Sequence, residues 1–314
     1  MVKNAANNSW RVHPAGATFR NWRAPDGWTL RRMDWPQPAG KDVRGGLLFA
    51  GGRGDFIEKY LEAFDHWHRA GWNVASFDWR GQGRSQGDIV GGNVDSFDPL
   101  VDDLAGLIED RRRDCAGPQV AIGHSMGGHL LLRTIVERKP GLDAAVLVAP
   151  MIAPNSAPIP PWFAPTVADT MCRLGLRAQP IWKVPTTLKR PGSRRQLFLT
   201  GSRERYEDEL HWWREEPAFN LGLPSWGWMR AAFRSADRAF APERLAGVDL
   251  PILVIGTDRD RLVSPQAIRR VAGGLPNAVL HMYPEAAHEI LREADPVRLD
   301  ALARIDAFLD ARAP

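Results

Sequence analysis

Residues 119–138 read QVAIGHSMGGHLLLRTIVER, and this stretch sets the reading of everything around it. Gln119–Gly123 has the apolar run of a strand, and Met126–Lys139 continues as a helix. Between them stands Gly123-His124-Ser125-Met126-Gly127, a G-x-S-x-G. A strand that turns this abruptly into a helix brings the side chains two residues either side of Ser125 into collision. Glycine at 123 and 127 removes them and tolerates the bent backbone. The Ser125 hydroxyl is thereby held clear of the sheet edge. It also faces a helix N-terminus, where free N–H groups and the helix dipole favour developing negative charge. In a strand–turn–helix setting this is the arrangement of a nucleophilic serine.

Working outward, strand and helix signals alternate. Thr18–Arg23 and Trp28–Trp35 read as two strands around the turn Pro25-Asp26-Gly27, and Gly46–Ala50 as a buried strand. Phe56, Tyr60, Phe64 and Trp67 recur at helical steps, and Asn73–Trp79 is the next strand. Asp98 followed by Pro99 predicts an N-cap and first helical position, opening a helix to about Arg113. Ala144–Ala149 is a further strand. The rhythm breaks after Pro150, where prolines cluster at 154, 158, 160 and 161 and six tryptophans follow, at 162, 182, 212, 213, 226 and 228. It returns with strands at Pro251–Gly256 and Ala278–Tyr283 and a closing helix at Pro296–Ala311. The expected class is therefore α/β, a mostly parallel central sheet with helices on both faces. Residues 1–150 and 237–314 form its core, and 151–236 an inserted Trp-rich lid.

Composition narrows the partners. With 314 residues, 44% of them apolar, the chain can bury a sizeable core. No segment approaches the ~20 apolar residues of a membrane span, and the first fourteen residues lack the apolar centre of a secretory signal. A soluble cytoplasmic protein is the expectation. The net charge of +4 is local: residues 1–44 hold eight Lys/Arg against three Asp, +5, leaving −1 for the other 270. This end is a candidate for peripheral contact with the anionic inner membrane, against the simpler reading of solvated strands. Nucleic acid is not an expected partner, because the one dense basic run, Arg111-Arg112-Arg113, closes a helix, where cations suit the dipole. Cys115 and Cys172 show no metal-ligand spacing and are expected as reduced thiols.

A serine hydroxyl needs a histidine to take its proton and a carboxylate to orient that histidine. Both partners follow the serine in chains built on this turn. His129 apart, the downstream histidines are His211, inside the Trp-rich segment, His281, inside a strand, and His288. Only His288 stands in a loop just beyond a strand, Pro284-Glu285-Ala286-Ala287-His288, free to bend back over Ser125. The acid should follow the strand 251–256. Asp258 and Asp260 both stand there, and distance from the strand does not decide between them. For the oxyanion, one backbone donor follows the nucleophile, Met126. The other is expected from the loop Gly51-Gly52-Arg53-Gly54. The glycine-rich Asp78–Ser85 misses the dinucleotide spacing and reads as structural, fixing the crossover beneath the site.

Several segments together resemble the monoacylglycerol lipase and bacterial lysophospholipase branch of the α/β-hydrolases. They are GRGDFIEKY (52–60), FDWRGQGRSQG (77–87), VDDLAGLI (101–108), GHSMGGHLLL (123–132) and DRLVSP (260–265), with LTGSRERYEDEL (199–210) and LPSWGWMRAAF (223–233) in the lid. The resemblance covers most of residues 18–311. It implies the α/β-hydrolase fold, Asp260 as the acid, His288 as the base and the Arg53 backbone N–H as the second oxyanion donor. It implies a serine esterase acting on monoacylglycerol or lysophospholipid without metal or cofactor. A short-chain carboxylesterase and an acyltransferase using the same triad are the alternatives. Gly51-Gly52 departs from the His-Gly common among lipases of the branch and leans toward the lysophospholipase side.

Overall fold

The computed structural model describes residues 10–85, 87, 92–181 and 190–314. The first nine residues, Gln86 and Trp182 lie outside this range.

Among the described residues, eight strands make one sheet in the order β1-β2-β4-β3-β5-β6-β7-β8. They are β1 (Thr18–Arg23), β2 (Thr29–Trp35), β3 (Gly45–Ala50), β4 (Trp72–Phe77), β5 (Gln119–His124), β6 (Ala144–Val148), β7 (Ile252–Thr257) and β8 (Ala278–Tyr283). β1 and β2 are antiparallel, and every pairing from β4 to β8 is parallel. The α-helices are α1 (Leu61–Arg69), α2 (Asp98–Asp114), α3 (Met126–Arg138), α4 (Ala164–Arg173), α5 (Arg194–Leu199), α6 (Arg203–Glu215), α7 (Trp226–Ala239), α8 (Pro242–Leu245), α9 (Pro265–Gly274) and α10 (Asp295–Arg312). The expected mostly parallel sheet with helices on both faces is the observed architecture.

Strand side chains alternate between two cores, one on each face. Leu48, Ala121, Leu147 and Val254 face α2, α3 and α9, while Phe49, Ile122, Val146 and Leu253 face α1 and α10. The strands that carry the site are therefore buried on both sides, and their C-terminal ends form one edge. The segment between β6 and β7 holds α4 to α8, and α7 runs on to Ala239, past position 236.

One local reading differs from expectation. Asp98 is the first residue of α2 rather than its cap, and its carboxylate pairs with Arg133 of α3. Tertiary pairing outcompetes the local cap there. Of the tryptophans after Pro150, Trp212 and Trp228 are buried, and Trp162 is 81% exposed. Trp212 lies against His13, and Trp228 against Phe97, so these two fill core space rather than line a surface. At the basic end, Arg11, Arg20, Arg31, Arg32 and Arg44 all pair with carboxylates of the fold.

Asp78–Ser85 is a brace. The Asp78 carboxylate accepts from the amides of Ile57 and Arg84 and from Arg31. Arg80 bridges Asp26 and the fully buried Asp103. Gln82 Oε1 accepts the Gly54 amide at 2.7 Å and so reaches the loop after β3. Among the described residues, no helix is long and apolar enough to cross a membrane.

Candidate active site

Ser125 stands between β5 and α3 with φ 52° and ψ −114°, a conformation that costs a non-glycine residue about 1–3 kcal/mol. Neighbouring backbone holds it there. Its amide donates to Val148 O at 2.9 Å, and its carbonyl accepts from His129 N at 3.0 Å and Met151 N at 2.9 Å. The flanking glycines leave no room for side chains. A Cβ on Gly127 would lie 2.1 Å from Ala50 O, and one on Gly123 would lie 2.6 Å from Gly127 O.

The loop after β8 brings His288 to this serine. His288 Nε2 lies 2.9 Å from Ser125 Oγ, and Nδ1 lies 2.7 Å from Asp260 Oδ2. A carboxylate only accepts, so Nδ1 carries the proton and Nε2 is left to accept the serine O–H. The second Asp260 oxygen accepts the amides of Leu262 at 2.8 Å and Val263 at 3.0 Å. Asp258 instead lies on the surface, paired with Arg269 at 2.7 Å. His211 and His281 do not join this group: His211 rests on Trp212, and His281 on Tyr283.

Charge at the site follows from burial and partners. Burial works against the Asp260 carboxylate, yet the charge and hydrogen bond of His288 and the two amides hold it below its ordinary range. Burial likewise opposes a charged His288. The charge and hydrogen bond of Asp260, with Glu289 and Asp55 behind them, raise it above its ordinary value.

Met126 opens α3, which points its N–H along the helix start. The loop 51–54 lies beside it, since a Cβ on Gly52 would come within 3.1 Å of Ser125 Cβ. The amides on either side of Arg53 are fixed: Gly52 N donates to Asp55 Oδ2 at 2.6 Å, and Gly54 N to Gln82. The Arg53 side chain donates to Gly222 O at 3.0 Å.

The family model described as Serine aminopeptidase, S33 (Hydrolase_4) matches residues 41–295. The chain belongs to this α/β-hydrolase family. Within it the chain is similar to Lysophospholipase L2 of Escherichia coli, 30% identical over 285 residues that cover 84% of this chain and 80% of that one. It is also similar to Monoacylglycerol lipase of Mycolicibacterium smegmatis, 25% identical over 258 residues, 81% and 84% of the two chains. A soluble variant of monoglyceride lipase from Saccharomyces cerevisiae, solved in complex with a substrate analog, shares the fold. It does so with a TM-score of 0.74 over 95% of both chains at 20% identity.

Behind this hydrolase's serine lies a set of charges that sequence reasoning missed. Asp55, Lys59, Glu209, Glu289 and Arg292 are buried together, with Lys59 Nζ 2.7 Å from Asp55, 2.6 Å from Glu289 and 3.5 Å from Glu209. Two signals for it were present, the i,i+4 spacing of Asp55 and Lys59 and the i,i+3 spacing of Glu289 and Arg292. These two pairs and Glu209 lie far apart from one another in the chain.

The elbow itself yields a test. Gly127→Ala forces a methyl group into the Ala50 carbonyl, so a loss of about 3 kcal/mol or more is expected. Urea unfolding measures it. A variant as stable as the parent would show that the turn has room the structure denies.

Proposed function

We propose that this hydrolase cleaves a carboxylic ester carrying a single acyl chain, a lysophospholipid or a monoacylglycerol, with Ser125 as the nucleophile. One observation carries the reading. A continuous hydrogen-bonded line runs from Ser125 Oγ through His288 to Asp260, at a serine bent out of its sheet.

In the mechanism, Ser125 Oγ bonds to the ester carbonyl carbon while its proton passes to His288 Nε2. Asp260 keeps His288 in the required tautomer and stabilises it once charged. The carbonyl oxygen becomes an oxyanion held by the backbone N–H groups of Met126 and Arg53, each worth about 3 kcal/mol. Collapse breaks the bond to the alcohol, which leaves with the His288 proton. Water then gives His288 a proton and attacks the acyl-enzyme, and collapse releases the carboxylic acid while the His288 proton returns to Ser125 Oγ.

We assign residues 151–236 the role of a lid. Two observations support it. The end of α5 is tied to the base loop, with His288 N donating to Phe198 O at 3.2 Å and Glu289 N to Leu199 O at 2.7 Å. On the other side of the serine, Gly222 O binds Arg53. Exposed apolar side chains on this segment support an acyl substrate: Trp162, Phe163, Leu197 and Phe198 are 81%, 43%, 65% and 38% accessible. The lysophospholipase and monoacylglycerol lipase names of the relatives agree with this substrate class.

Ser125→Ala is expected to lower turnover of such esters by roughly 10⁴–10⁶-fold. Near-normal turnover would exclude the serine route. Assayed across a chain-length series of glycerol and glycerophosphate esters, the parent enzyme should favour long chains. A preference for acetyl esters would replace the lipid substrate with a short-chain one. Preferred transfer of the acyl group to an added alcohol would make the chain an acyltransferase.

The pH profile tests the roles of Asp260 and His288. Only neutral His288 can accept the serine proton, and its affinity for protons is raised by Asp260. Activity should therefore fall on the acid side with a midpoint above about 6.5, the ordinary histidine value. Asp260→Asn removes the raising charge, so the residual activity should titrate at lower pH, with kcat reduced about 10⁴-fold. If Asp258→Asn rather than Asp260→Asn produced this result, the assignment of the acid would be wrong.

A further inference from the structure

The charge cluster behind the serine contains one group whose position is not explained by packing. Asp55 is buried, and its Oδ2 takes three donors at once: Gly52 N–H at 2.6 Å, His124 Nδ1 at 2.9 Å and Tyr60 O–H at 3.1 Å. Its Oδ1 takes the Lys59 ammonium at 2.7 Å. These partners are not equivalent. Gly52 immediately precedes Arg53, the residue whose N–H is proposed to hold the oxyanion. His124 immediately precedes Ser125. Lys59, bound to the other oxygen, also holds Glu289, the residue immediately after His288. One carboxylate therefore ties together, one residue back from each working atom, the oxyanion loop and the elbow. Through Lys59 it reaches the base loop as well.

We propose that Asp55 is a positioning residue of the hydrolase site, setting the oxyanion donor at Arg53 in register with Ser125. The inference rests on the Ser125 mechanism proposed above. An oxyanion hole works only if its donors already point at the place where charge will appear, without reorganising during the reaction. The loop 51–54 contains three glycines and has little intrinsic stiffness. Pinning its Gly52 amide to a buried charged acceptor supplies the missing rigidity, because charge-assisted hydrogen bonds are short and strong. The acceptor has to be a carboxylate. An asparagine would turn its NH₂ either on the three donors at Oδ2 or on the Lys59 ammonium, and both faces demand an acceptor.

The test compares Asp55→Asn with the parent by steady-state kinetics and by binding of a trifluoromethyl ketone bearing the acyl chain. That ketone adds Ser125 Oγ to form a tetrahedral oxyanion adduct, so its affinity reports the hole itself. Asp55→Asn is expected to lower kcat by about 10- to 100-fold with KM within about threefold. The ketone's affinity should fall by the same factor as kcat/KM. A loss confined to KM, or a ketone affinity within twofold of the parent, overturns the inference. Tyr60→Phe removes one donor and keeps the ring that packs on Phe49 and Phe64. It covers the case in which Asp55→Asn does not fold. It should lower kcat/KM and ketone affinity together by a few-fold, and no change in either overturns the inference equally. Labelling with a fluorophosphonate separates the two proposals. If the parent is not labelled at Ser125, the mechanism fails; if it is labelled and Asp55→Asn keeps full kcat, only the role of Asp55 fails.

Discussion

The site depends on a backbone bend that the chain would not adopt on its own. Ser125 occupies φ 52°, and three backbone hydrogen bonds hold it there, two to the end of β6 and the residues just past it and one to α3. The neighbouring strand is bent in the same way. Ala149, just past β6, has φ 43°, and its amide donates to Ile255 O of β7 at 2.7 Å. Two adjacent strand ends thus carry left-handed residues at one sheet edge. The Met151 amide, two residues past Ala149, caps the Ser125 carbonyl. Strain of this kind persists only where surroundings over-determine it. Here the surroundings are β3, β5, β6 and β7, four adjacent parallel strands buried on both faces. The sheet supplies rigidity, and the elbow uses it to hold the Ser125 oxygen within reach of His288.

Holding the hydroxyl out is useful only if the imidazole meets it, and that meeting is arranged by charge more than by apolar packing. Asp55, Glu209 and Glu289 face Lys59 and Arg292 in the interior and Arg195 at its margin, three acids against three bases. Burial opposes the charge on all of them, and mutual attraction restores it: Glu209 is pulled down to about 2, and Glu289 and Asp55 are lowered as well. Such a cluster adds little net stability compared with a well-packed apolar core of the same volume. Its value is directional. An ion with fixed hydrogen bonds tolerates fewer arrangements than a leucine, and these ions adjoin the elbow, the loop 51–54 and the loop that carries His288.

Much of this was legible in sequence, for physical reasons that differ by element. β5, the elbow and α3 were readable because each rests on local rules: an apolar run, glycines where side chains would collide, then helical spacing. β8 and the loop to His288 were readable because one histidine alone stood just beyond a strand. Asp260 and Asp258 could not be separated by spacing, because both lie within reach of the strand end. What distinguishes them is tertiary, since Asp258 meets Arg269 on α9 while Asp260 turns inward. The helices between β6 and β7 passed unread although three had signals. Ser193, Ser202 and Ser225 each cap a helix by accepting the amide three residues on. Lys59 and Glu289 lie 230 positions apart and have no local signature at all.

The segment between β6 and β7 is less uniform than its composition suggested. α5 and α6 are mechanically part of the base loop. Phe198 and Leu199 carbonyls accept the amides of His288 and Glu289, Glu209 of α6 joins the buried ions, and Arg205 binds Glu62 of α1 and the Glu293 carbonyl. Displacing this half would break the hydrogen bonds that set the histidine. α7 is also anchored, because Ser235 bonds His129 and Arg133 on α3. The exposed Trp162 and Phe163 stand elsewhere, at the start of α4, after a run of prolines that cannot donate to a sheet or helix. The insertion thus divides its labour. Its later helices brace the loop that carries His288 and the helix that follows Ser125, and its proline-broken start exposes apolar side chains to solvent.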